Sequence, residues 1–133
     1  MTNGIDYEKI QDRLEEINEI VAAKAQNQVN LIAVTKGFTH EEVNIATELG
    51  IKNFGENYAQ ELLAKNPLVD AEISWHYIGQ LQSNKIRKIS HLVDVWHSVT
   101  SLKLAREIHK RNDQAKILLQ VSVSGPSNSK GFE

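Results

Sequence analysis

A regular alternation of short apolar runs with helix-forming stretches most constrains what this chain can fold into. Strand-like runs fall at Asn30–Thr35, Ile51–Phe54, Ile73–Ile78, Leu92–His97 and Lys116–Val123, with starts about 22 residues apart. A helical stretch fills each interval. Strands of that spacing cannot be joined by hairpins, so the alternation predicts a parallel α/β sheet, either doubly wound or a (β/α)8 barrel. Ligands of such sheets gather at the carboxyl ends of the strands. That rule directs attention to Lys36, Gly55–Tyr58, His76–Gly79, His97–Ser98 and the residues after Val123.

The first run, Leu31-Ile32-Ala33-Val34-Thr35-Lys36, has the near-continuous apolar character of a strand buried on both faces. It ends on a lysine. A lysine at the end of a buried parallel strand has its stem in the core and its amine at the mouth of the fold. Partial desolvation there favours the neutral amine and attack on a carbonyl. The plainer alternative is a lysine that snorkels to water.

The helices carry ordinary signals. Asp6 caps a first helix whose stripe Ile10, Leu14, Ile17 and Val21 predicts a packing role. Thr39-His40-Glu41-Glu42 reads as a capping box, and Gly50 as the residue after that helix's C-cap. The next helix runs through Leu62 and Leu63 to Asn66-Pro67. Ser83 or Asn84 is expected to cap a short basic helix, and Thr100 the one after it. The tail from Ser124 is loop-like by composition.

Composition narrows the function classes. Lys+Arg is 15 and Asp+Glu is 17, a net charge of −2 that gives no general pull toward nucleic acid or anionic membrane. The basic residues Lys85, Arg87 and Lys88 then read as a solvated helix face. Cysteine is absent, so disulfides and thiolate metal sites are excluded, which fits a reducing compartment. Met1–Tyr7 is polar, without the apolar stretch of a secretory signal, and no run reaches membrane-spanning length. The expectation is one cytoplasmic domain over 1–133. The histidines show no metal-ligand spacing. Gly125–Gly131 lacks the fixed glycines of a Walker loop.

The strand ends share a wider pattern: Ala33-Val34-Thr35-Lys36, Phe54-Gly55-Glu56-Asn57-Tyr58-Ala59-Gln60-Glu61, Trp75-His76-Tyr77-Ile78-Gly79-Gln80-Leu81-Gln82-Ser83-Asn84-Lys85, His97-Ser98-Val99, Leu119–Ser124 and Ser129-Lys130-Gly131. In those blocks the chain resembles the pyridoxal-phosphate homeostasis proteins, also called the YggS or PROSC family. The resemblance implies a (β/α)8 barrel like the N-terminal domain of alanine racemase, here cut to about five βα units. It implies that Lys36 forms an internal aldimine with pyridoxal 5′-phosphate, in a protein that buffers or delivers the cofactor and has no established reaction. Around Lys36, Ile78 could pack on the ring, His76 could hydrogen-bond near it, and Asn57 could reach the ring oxygen.

Length is the main departure. A (β/α)8 barrel takes about 250 residues, against 133 here. In the resembling family, serine- and glycine-rich loops after the last strands hold the phosphate and an arginine lies near the ring nitrogen. That segment lies beyond this sequence. Gly37-Phe38-Thr39 also stands where the family often has a second lysine and a proline. Two rivals remain: a pyridoxal-phosphate racemase or decarboxylase, and a remnant that binds no cofactor. Five parallel strands that do not close leave two open edges, so self-association is expected.

Overall fold

The structure, a computed structural model, describes residues 6–123 and 131–132. The tail after Val123 and the last motif block fall largely outside those residues. Helix α1 (Tyr7–Lys24) precedes β1 (Ile32–Val34). Then follow α2 (His40–Glu48), β2 (Asn53–Glu56), α3 (Ala59–Lys65), β3 (Ser74–Tyr77), α4 (Ser83–Ile89), β4 (Val93–Val99), α5 (Leu102–Arg111) and β5 (Lys116–Leu119).

All strand pairs are parallel, and the order across the sheet is β1-β2-β3-β4-β5. A doubly wound sheet reverses its strand order part-way; this one never does. With right-handed crossovers, a sequential order sends every connecting helix to the same face. That is the winding of consecutive units of a (β/α)8 barrel. The core lies between sheet and helices. Phe54, Trp75, Tyr77, Trp96 and Val99 from the strands meet Val43, Leu62, Ile86, Ile89 and Ile108 from the helices, all buried. The opposite, inner face carries Ile32, Val34, Gly55, His76 and Val95.

β1 is not buried on both faces. It is an edge strand with one partner, and Val34 on its inner face is 46% exposed. The apolar run matched a barrel interior, but no chain covers that face among the described residues. Other expectations shift by a residue or two. β2 includes Gly55 and Glu56 rather than stopping at Phe54. Ser101, not Thr100, caps α5, its hydroxyl accepting from the Leu104 N–H. The residue before α4 is Gln82, which makes no side-chain cap bond. The capping box at Thr39 forms as expected, and Gly50 takes a positive φ at the end of α2. Asp6 caps α1, but no residue of that helix is buried: its stripe lines a shallow groove against Leu31–Ala33.

Candidate functional site

Lys36 stands two residues past the end of β1, after Thr35, at the carboxyl rim of the sheet, and is exposed. The shelter expected of a doubly buried strand is therefore lacking, for the same reason that Val34 is exposed. The lysine sits on a tight turn. The Phe38 N–H donates to the Thr35 carbonyl at 3.0 Å, and Gly37 has φ +77°. A turn with positive φ at its third residue has the type II form, which glycine adopts without strain. Lys36 occupies the second position, so its backbone is part of the turn itself.

Both flanks of Lys36 are tied to one buried ionic cluster. Lys65 Nζ donates to the Thr35 carbonyl at 2.6 Å, to Glu56 Oε1 at 2.6 Å and to Glu61 Oε2 at 3.2 Å. The Thr35 hydroxyl donates to Glu56 Oε1 at 2.8 Å. On the other flank, the Gly37 N–H donates to Glu61 Oε2 at 3.0 Å. That backbone bond, helped by Lys65, holds the Glu61 carboxyl below the usual carboxylate range. The Glu56 side chain is fully buried and Lys65 nearly so. A buried carboxylate persists only when paired, and here the pairing partner also grips the turn.

The inner face is built from alternating residues. A Cβ built on Gly55 would lie 3.3 Å from Ile78, 3.4 Å from Ile32 and 3.6 Å from Val34, so these side chains share that face. Ile78 also lines a cavity of about 520 Å³ with Gln80, Gln82, Ser98, Thr100 and Gln120, at the carboxyl ends of β3–β5. Lys36, Asn57 and His76 do not line it.

The register pairs Val34 with Gly55, and Gly55 with His76. His76 therefore lies two residues deeper along its strand than Ile78. Its Nδ1 is 2.8 Å from His97 Nε2, and its Nε2 is 3.2 Å from Asn53 Oδ1. An amide oxygen only accepts, so His76 donates from Nε2 and accepts at Nδ1 from His97. This assignment needs His76 neutral and a proton on His97 Nε2, a condition that two neutral rings meet. Burial, reinforced at His76 by the neighbouring His97, lowers both pKa values and favours that state. Asn57 caps no helix: its side-chain oxygen is buried without a hydrogen-bond partner among the described residues. Its carbonyl packs so closely on Gly79 that a Cβ there would come within 1.9 Å. Only glycine fits at that crossing of two rim loops.

No family model matches the chain. Among curated proteins, the pyridoxal phosphate homeostasis protein of Pseudomonas aeruginosa is 36% identical over 128 residues, covering 92% of this chain and 55% of that one. The protein of the same description from Caenorhabditis elegans is 33% identical over 126 residues, covering 86% and 52%. Among solved structures, PipY of Synechococcus elongatus with pyridoxal phosphate bound superposes with a TM-score of 0.79 at 32% identity. It is matched over 93% of this chain and 58% of its own. The chain is related to the pyridoxal phosphate homeostasis proteins. It spans about half the length of the curated homeostasis proteins it matches.

The rim thus brings together an exposed primary amine at Lys36, the apolar side chain of Ile78 on the inner face, and the buried amide oxygen of Asn57. Sequence reasoning assigned no role to Thr35, Glu56, Glu61 and Lys65, although Glu61 and Lys65 stand four apart on one helix face. It also passed over His97, which its position at a strand end had marked.

Proposed function

We propose that this chain binds pyridoxal 5′-phosphate through Lys36 at the carboxyl rim of the sheet and holds it for release without turning over a substrate. The carrying observation is an accessible lysine on a tied-down turn at that rim, in a chain whose solved relative PipY has pyridoxal phosphate bound. The cofactor supplies an aldehyde, whose condensation with the Lys36 amine makes a carbon–nitrogen double bond and releases one water. Ile78 offers its apolar side chain to one ring face. Asn57 is the amide proposed for the ring oxygen, its side-chain oxygen being buried without a hydrogen-bond partner among the described residues. His76 acts from below through His97, which it orients, rather than by direct contact.

Storage is preferred to racemisation or decarboxylation because Ile78 and Asn57, the side chains assigned beside Lys36, are not groups that abstract a proton. On adding pyridoxal phosphate to the purified chain, a visible absorbance band is expected, and Lys36→Ala loses it. Unchanged absorbance at high cofactor concentration sinks the proposal in favour of a non-binding remnant. Racemisation of an added amino acid would overturn the non-catalytic part alone.

A further inference from the structure

The ionic cluster behind Lys36 does more than fill a gap in the core. Thr35 and Gly37, the two neighbours of Lys36, are both bonded to it, one from each side. The lysine's own side chain takes no part. Glu61 is the outer member. Its side chain is one-third exposed, and a single oxygen, Oε2, accepts from both the Gly37 N–H and Lys65 Nζ. A cluster needed only for packing would gain nothing by reaching out to a turn amide at the surface.

We infer that Glu61, backed by Lys65 and Glu56, is a positioning residue for Lys36: it fixes the peptide on both sides of the lysine so that the amine is presented at one place on the rim. This inference rests on the reading of Lys36 as the cofactor's attachment point. The gain comes from ordering the turn before the cofactor arrives, so that binding does not bear that entropy. The same cluster couples β1 to α3. Asn57 leads into α3, so the clamp also sets the distance between the amine and the amide.

Three versions of the whole chain test this: wild type, Glu61→Ala and Glu61→Gln. The glutamine keeps an oxygen for the Gly37 N–H; the alanine does not. Pyridoxal phosphate is titrated by its visible band, and exchange of the Gly37 amide is followed without cofactor. Half-saturation for Glu61→Ala is expected to rise about tenfold, with faster Gly37 exchange. Glu61→Gln is expected to stay within about twofold of wild type on both measures. An alanine variant that titrates and exchanges as wild type overturns the inference. So does equal loss in both variants tracking a lowered melting temperature, which is the mark of a merely structural role. If wild type itself gives no band, the cofactor reading falls first and separately. Gly37 exchange then judges the clamp, acceleration in the alanine variant upholding it and no change rejecting it.

Discussion

Two buried groups decide most at the scale of single residues. The Tyr77 hydroxyl lies in the core with no hydrogen-bond partner among the described residues, its ring 5.7 Å from that of Trp96. Burial raises its pKa by disfavouring the phenolate. Removing an unpartnered polar atom relieves a desolvation cost, so Tyr77→Phe is expected to leave stability unchanged or raise it by up to about 1 kcal/mol. Urea unfolding measures this, and a marked loss would mean that the hydroxyl has a partner after all. The His76–His97 pair works in the opposite sense with pH. The unfolded chain takes up protons near a pKa of about 6.5, while the folded pair resists them. Stability is therefore expected in full above that pH and to fall as pH drops through and below it. His97→Gln should flatten that dependence in denaturation midpoints taken between pH 7.5 and 5.5. Lys36 was legible in the sequence because a lysine followed by glycine marks a strand end. The His76–His97 contact was not, because it depends on a shift in pairing that no local pattern records.

That shift belongs to the elements. Trp75 pairs with Val93, but the next residue, His76, pairs with Val95, so Asp94 is extra. Its carboxylate accepts from the Trp75 N–H at 3.0 Å, which satisfies a backbone group the bulge would leave unpaired. A one-residue slip exchanges the faces of everything beyond it. Counting by twos from buried Val93 would send His97 among the helices. With the bulge, Trp96 goes there and His97 comes to the inner face beside His76. Strand existence and the parallel sheet were readable from hydrophobic runs and turn residues, whereas the runs alone left a doubly wound order as open as the sequential one found. The bulge, and the end of β2 at Glu56, were not, since a buried carboxylate makes sense only once Lys65 from α3 is seen to reach it. That dependence is testable. Lys65→Met leaves the buried Glu56 carboxyl without its cationic partner, an expected loss of about 3–5 kcal/mol. Adding Glu56→Gln should restore much of it, read as a recovered midpoint in the double variant. A single variant as stable as wild type would show that the cluster carries no such weight.

At the scale of the whole molecule, the sheet has one covered face and one open one. The helices seal the outer side, while β1 and β5 each pair with a single neighbour. Leu118, Leu119 and Val121 are 50%, 55% and 58% exposed along the β5 side. An apolar groove of about 430 Å³ runs between α1 and β1. Solitary exposed apolar side chains are ordinary; a flat strand edge with unpaired backbone groups beside a row of them is a template for another chain. Among the described residues, this edge has Lys116 at its start and, just past its end, Phe132 bridged to Val121, which leaves the stretch between them open. The 133-residue chain is therefore expected to self-associate. Light scattering over a concentration series should give masses above 15.0 kDa that rise with concentration. Leu119→Lys places a charge on that edge, and should bring the mass toward the monomer without changing the circular dichroism of the helices and sheet. A single monodisperse 15.0 kDa species in the wild type, at every concentration, would show that these open edges are kept apart by some feature other than charge.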